Sequence, residues 1–368
     1  MAAVSAHAQA ANGPYTLPRV ITGDLDRALA TATSSAGTWR PAPPGTAGGT
    51  RTYATTVAFR LAGGHANGPD AVAARLAARL RRLDWVEAAS VTGGGYLVVT
   101  VTADALGRLA VRITEAGPGC ARSGALAGTS LAAPAAADLA SAPAWEEARQ
   151  HVHTTVTGRL AEAAGAHVNW QHDAERITAP DPAAPVTAGP VAGAVAYAGA
   201  DAITYALARL PPWGPARVDA RLAAAHHLGN PAYAVRYAHA HAASALRQAG
   251  DLGLDRGEAA QFRPRLLAHP SEQALLYELS WLPERVTGAA RRGRPDVLAR
   301  YLEGLAGAYF DAQEACPAAW PGMTVPGASP GERATAQMAA ARLWLAAASR
   351  TALLAGLGLL GVSAPDRL

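Results

Sequence analysis

Apolar positions change period along this chain, and the changes divide it. Between residues 69 and 83, Val72, Leu76, Leu80 and Leu83 recur every three to four residues while Arg75, Arg79 and Arg82 make a second stripe. That pattern predicts an amphipathic helix opened by Pro69. Residues 85–91 and the β-branched run 96–101 read as strands, and Gly93, Gly94 and Gly95 between them predict a hairpin. Helical spacing returns over residues 104–115. Residues 55–61 suit either the end of a strand or the start of a helix. A small α+β domain is therefore expected over residues 1–115.

Residues 116–195 are rich in Ala, Pro and Gly. One helix is expected there, over residues 143–164, where Trp145, Ala148, Val152, Val156 and Leu160 share a face. Four prolines between residues 180 and 190 mark a linker or loop. From residue 196 onward only helices are predicted: 196–210, 216–228, 231–249, 271–293, 295–315 and 331–356. Pro231 and Pro295 sit at helix starts, and Gly250, Gly293 and Gly358 at helix ends. No solenoid period recurs, so an antiparallel bundle over residues 196–368 is the expected architecture. The fold class is α+β, a small amino-terminal α+β domain joined to an all-α carboxy-terminal helical bundle.

Composition narrows the chemistry. Half of the 368 residues are apolar, enough for more than one core. All 32 basic residues are arginine, so reactions that need a lysine ammonium are excluded. The net charge of +4 is modest for a nucleic-acid binder. Its distribution says more: Arg outnumbers Asp plus Glu by 11 to 7 in residues 1–115 and by 17 to 14 after residue 195, but falls to 4 against 7 between. Cys120 and Cys316 have no metal-ligand spacing and make no disulfide framework. Residues 1–10 lack a signal-peptide pattern, and the longest apolar run, 351–362, is shorter than the roughly 20 residues of a membrane span. A cytoplasmic protein without membrane contact is expected.

Three ordered stretches carry a resemblance. Asn230-Pro-Ala-Tyr-Ala-Val-Arg-Tyr-Ala-His-Ala-His241 is similar to the Asn-Pro-x-Tyr-Tyr-Val-Gln-Tyr-Ala-His-Ala-Arg of arginyl-tRNA synthetases. Glu272, Leu276, Leu279 and Pro283-Glu-Arg-Val286 follow that family's next helix, and Tyr301-Leu302 begins the one after. The end, Gly356-Leu-Gly-Leu-Leu-Gly-Val-Ser-Ala-Pro-Asp-Arg-Leu368, resembles the family's terminal segment. Residues 196–368 thus resemble a DALR-type anticodon-binding domain. Tyr53-Ala-Thr-Thr-Val-Ala-Phe-Arg-Leu-Ala62 and Gly93-Gly-Gly-Tyr-Leu-Val98 are similar to the family's amino-terminal domain, which contacts the outer corner of tRNA.

The family's nucleotide-binding domain of roughly 200 residues has no room between the two modules, where about 80 residues stand. No His-x-Gly-His string occurs, and a lysine-bearing signature cannot exist in a chain without lysine. Amino-acid activation needs cations around the transferring phosphates, whereas residues 116–195 are net acidic. The resemblance therefore implies a pseudoenzyme: no catalytic residues, no cofactor and no metal, with tRNA as partner and no DNA.

By the same resemblance, Tyr233 and Tyr237 hold anticodon bases; packing between helices is the alternative. Three motif positions depart, with Ala234 for a tyrosine, Arg236 for a glutamine and His241 for an arginine, which implies altered anticodon reading. Tyr96 keeps a stacking platform for a D-loop base, while Val98 replaces the amide that would read it; a hairpin that only packs is the alternative. Leu368 stands for a terminal methionine near the anticodon, and Ala312 and Gln313 for an aromatic pair. Arg75, Arg79 and Arg82, like Arg291, Arg292 and Arg294, suit phosphate contact or a solvated face. His226, His227, His239 and His241 lack metal-site spacing. Two functions follow: a non-catalytic tRNA-binding paralogue, or a regulatory or scaffolding subunit that binds a protein partner and whose RNA contact is vestigial. An enzyme acting on charged tRNA finds no nucleophile–base pair in residues 116–195.

Overall fold

The computed structural model describes residues 39–41, 51–62, 68–171, 190–318 and 330–368. The chain forms two compact units, neither contiguous in sequence. The first comprises Met1–Ala116, Leu246–Glu284 and Asp311–Ala348, the second Gly117–Ala245, Arg285–Phe310 and Ser349–Leu368.

In the first unit β1 (Trp39–Pro41), β2 (Thr52–Thr55), β3 (Val86–Thr92) and β4 (Tyr96–Val101) form an antiparallel sheet in the order β1-β2-β4-β3. The ambiguous stretch is both things: β2 ends at Thr55, and α1 (Val57–Leu61) begins after Thr55 Oγ1 accepts the Val57 N–H at 3.2 Å. The amphipathic helix is α2 (Gly68–Leu80), with Val72, Leu76 and Leu80 buried and Arg75 and Arg79 exposed. In the hairpin Gly93, Gly94 and Gly95 take φ of +51°, +79° and +119°, a path that other residues resist. A Cβ on Gly95 would also lie 2.6 Å from Pro69 Cβ. The predicted helix 104–115 is two, α3 (Ala103–Gly107) and α4 (Leu109–Ala116), the first capped by Thr102 Oγ1, which accepts the Ala105 N–H.

Carboxy-terminal residues complete this unit's core. Tyr53 on β2 is fully buried between Tyr277 and Trp281, at ring distances of 5.3 and 5.4 Å, with its hydroxyl 3.0 Å from Ser280 Oγ. Tyr277 and Ser280 belong to α10 (Pro270–Ser280), whose first turn is braced by a reciprocal cap: His269 Nδ1 accepts the Ser271 N–H and Glu272 accepts the His269 N–H. The other Glu272 oxygen accepts from Arg342 Nε at 2.9 Å, and this ion pair is nearly buried. The predicted helix 271–293 breaks at Trp281, and α11 (Leu282–Arg292) follows. Pro283 has no N–H to continue the ladder.

The second unit holds an element absent from the sequence reading. β5 (Ser130–Pro134) and β6 (His167–Gln171) pair in parallel, and α5 (Trp145–Ala163) connects them. Gly158 lets this helix sit on its strands, since a Cβ there would meet Ala133 Cβ at 2.7 Å and the Trp170 ring at 2.8 Å. In chain order α6 (Pro190–Ala198), α7 (Ala200–Arg209), α8 (Ala220–Ala224) and α9 (Pro231–Asp251) follow, with α12 (Pro295–Ala315) and α13 (Pro330–Leu360) later; α9, α12 and α13 each contribute residues to both units. The predicted helix 196–210 is broken at Gly199, φ +84°. The predicted helix 216–228 shrinks to α8, because Asn230 Nδ2 donates to the carbonyls of Ala223 and Ala225 and turns the chain there. Near the end of α13, Gly356 touches Leu302 of α12, where a Cβ would fall 2.4 Å from Leu302 Cδ2.

Measured as a helix, Arg333–Leu360 spans 28 residues and is long and apolar enough to cross a membrane by length and composition. The uninterrupted apolar run 351–362 is only part of this stretch, so its length understates the helix. The most apolar window is 78% buried within the protein, as in a core helix.

Candidate nucleic-acid interface

Residues 233, 237 and 241 on α9 are four apart and therefore share a face. Tyr233 and Tyr237 stack at 5.5 Å with 10° between planes. His226 extends the row, stacked on Tyr233 at 5.4 Å, and Phe310 of α12 extends it at the other end, 5.8 Å from Tyr237. His241 meets Tyr237 and Phe310 edge-on, and its Nδ1 is hydrogen-bonded to the Tyr309 hydroxyl at 2.9 Å. Tyr309 is buried, whereas Tyr233, Tyr237 and Phe310 are half-exposed. The row is thus both packed and open to solvent. Side chains held by ring neighbours lose little freedom when a base is laid against them. Spacing along α9 does not reveal Phe310 or His226 as members, because the first lies on another helix and the second precedes α9. The lost pair at Ala312 and Gln313 lies two and three residues beyond Phe310, and Ala312 is buried.

The charged positions are less available. Arg236 donates to the Ser363 carbonyl and hydroxyl, both at 3.3 Å, and its guanidinium lies 3.3 Å from Asp201. Asp201 also accepts from the Ser363 N–H and hydroxyl. The cation read as gained for RNA is compensated within the protein, where it ties down the terminal segment. His239 Nδ1–H donates to the Pro365 carbonyl at 3.1 Å, and Arg350 pairs with Asp366 at 2.7 Å. Leu368, at the end of this anchored tail, is 54% exposed. Arg294 pairs bidentately with Asp296 and lies 4.2 Å over the Trp213 ring, and Arg291 donates to the Ala125 carbonyl.

In the first unit Tyr96 is 43% exposed and meets Phe59 edge-to-face at 5.2 Å. Val98 is buried in the sheet, so nothing at that position offers a hydrogen bond to a base. Arg75, Arg79 and Arg82 line the solvent side of α2 and the turn after it, and Arg81 Nε donates to the Ala89 carbonyl.

Burial lowers the pKa of His153, His239 and His241 below the ordinary histidine value, opposed in His153 and His239 by hydrogen bonds to the Leu207 and Pro365 carbonyls. At neutral pH the imidazole at 241 therefore brings no cation. An imidazole whose pKa is lower folded than unfolded binds protons preferentially in the unfolded chain. Its contribution to stability is complete above about pH 6.5 and is lost as pH falls through the folded-state values. Thermal midpoints should thus drop as pH falls below about 6.5, and His239→Gln should flatten that drop. An unchanged slope in the variant would show that His239 does not drive it.

Comparison with known proteins places this geometry. Residues 235–368 match the family model described as DALR anticodon binding domain. The arginine–tRNA ligase of Micrococcus luteus is 40% identical over 174 residues, 47% of this chain and 30% of that protein. That of Frankia alni is 40% identical over 171 residues, 46% of this chain and 29% of its own length. The matched region thus spans about three tenths of these curated relatives. In fold, the chain is similar to Thermus thermophilus arginyl-tRNA synthetase, with a TM-score of 0.58 at 15% identity over 96% of this chain and 100% of that one. The enzyme from Plasmodium falciparum gives 0.62 at 8% identity over 96% and 98%. Residues 235–368, which include the rings from Tyr237 to Phe310, therefore match the DALR anticodon binding domain family, and the carboxy-terminal part of the chain is similar in sequence to arginine–tRNA ligases.

Proposed function

We propose that this protein is a non-catalytic paralogue of arginyl-tRNA synthetase that binds tRNA in the cytoplasm. Residues 1–115 act as the outer-corner module, 196–368 as the anticodon module, and 116–195 replace the catalytic domain. The observation that carries the reading is the half-exposed ring row His226, Tyr233, Tyr237 and Phe310, set within or beside a domain family that takes its name from the anticodon. Tyr96, Arg75, Arg79 and Leu368 are the further proposed contacts, all exposed, while Arg236 and His241 position the row and the tail. Absence of lysine and of His-x-Gly-His supports the lack of catalysis. So does the state of the thiols, both buried, with Cys120 pushed up to about 12 by burial.

A gel shift with unfractionated tRNA at low salt should show a complex at micromolar protein, while the same preparation with ATP, arginine and tRNA should form no aminoacyl-tRNA. No shift, or arginine-dependent pyrophosphate exchange above background, would overturn the reading. A protein-binding subunit is the second reading, favoured by Tyr197, Trp213, Leu222 and Leu228, each more than half exposed within 32 residues of one unit. Under it, a stoichiometric protein rather than tRNA co-purifies.

A further inference from the structure

Outside the ring row, the first unit contains a cleft of about 600 Å³ between the loop after α9 and one face of α13. Its walls carry two cations, Arg256 and Arg263, one carboxylate, Asp255, and the amides of Gln261 and Gln337. The loop is fixed from beneath, because Leu254 packs into a small buried cluster with Ala249, Ala339 and Leu343. It is also held by Trp344 on α13, whose indole N–H donates to the Arg256 carbonyl at 2.8 Å. The Arg256 guanidinium lies over that same indole, 4.6 Å from the ring centroid, and Phe262 packs against the ring at 6.0 Å. The Asp255 carboxylate accepts the Gly257 N–H at 2.8 Å and braces the turn, in which Gly257 has a φ of +66°.

Two features distinguish this cleft from an ordinary polar surface. Arg256 is held at both backbone and side chain by one buried tryptophan, so its rotamer freedom is already spent before anything binds. Neither Arg256 nor Arg263 is ion-paired among the described residues, although Arg209, Arg236, Arg294, Arg342 and Arg350 all are. An ordered, unpaired guanidinium with a second beside it fits the fork geometry of a phosphodiester.

We propose that this cleft is a contact for the phosphate backbone of RNA, with Arg256 and Arg263 as its cations. The inference rests on the tRNA-binding reading above and adds to it a surface separate from the ring row. Phosphate contacts position an RNA without reading its sequence, so the site should act on all tRNAs alike.

The test is binding of fluorescently labelled, unfractionated tRNA to the full chain across a salt series. Arg256→Ala combined with Arg263→Ala should reduce the log–log salt slope by about one to two and weaken binding about tenfold at 100 mM salt. Because Arg256 also packs on Trp344, Arg263→Ala alone serves as the second variant, an exposed change that should leave the thermal midpoint in place and still lower the slope by about one. If wild-type protein binds tRNA and both variants keep its slope and affinity, the cleft is not an RNA contact and the proposed function stands. If wild-type protein fails to bind tRNA, both readings fall together. A loss of binding by the double variant that appears only with a lowered midpoint, and not in Arg263→Ala, also overturns the inference.

Discussion

Tyr53→Ala should lower stability by about 3–5 kcal/mol, the range for removing a buried aromatic side chain. Tyr53 has no exposed surface, and its ring is held by Tyr277 and Trp281. Burial raises the phenol's pKa far above its ordinary value, so the group stays neutral at any working pH and acts as a packing element. Its hydroxyl partner is less decisive, because the Ser280 hydroxyl also donates to the Tyr277 carbonyl at 2.6 Å and keeps a bond when Tyr53 is gone. Tyr53→Phe should therefore cost only about 0.5–1.5 kcal/mol. Urea midpoints of the two variants give both numbers. A loss under about 1 kcal/mol for the alanine variant, well below the range for such cavities, would mean that the strand and α10 do not share this core.

The second large effect concerns Tyr237. Tyr237→Ala should weaken tRNA binding by about 1–3 kcal/mol, or roughly 5- to 150-fold, through lost stacking. Its ring is the middle of the row, touching Tyr233, His241 and Phe310 at once, so its removal separates the α9 rings from the α12 ring. Tyr237→Phe keeps the ring and should keep most of the affinity. The ring is half-buried, so the alanine change also carries a folding cost, and thermal midpoints of both variants belong beside the binding curves. If alanine lowers the midpoint and leaves tRNA affinity unchanged, the row is a packing seam and the second reading, a protein-binding subunit, gains.

Local order was largely legible in the sequence. Pro231 and Gly250 bracket a helix seen from Pro231 to Asp251, the three glycines make the hairpin turn, and the spacing of Val72, Leu76 and Leu80 turns them inward on α2. The motif at 230–241 pointed to the domain family that matches from residue 235. These features depend on neighbours within a few positions, and an i to i+4 pattern records them directly.

Tertiary contacts decided the rest. Ser-Leu-Ala-Ala-Pro and His-Val-Asn-Trp-Gln have no strand signal of their own, yet they pair in parallel because α5 returns the chain and Gly158 lets the layers meet. α8 is short because Asn230, from beyond the segment, takes its carbonyls. Arg236 looked like a free cation until Asp201 and Ser363, 35 and 127 positions away, claimed it, and Phe310 joined the tyrosines from another helix. The sequence by itself determined which residues are apolar or cationic and roughly where helices run, while their breaks at Gly199 and Trp281 and the length of α8 came from the folded chain. Which cations remain unpaired and which rings line up depends on distant partners, and residue spacing along one helix contains no record of them.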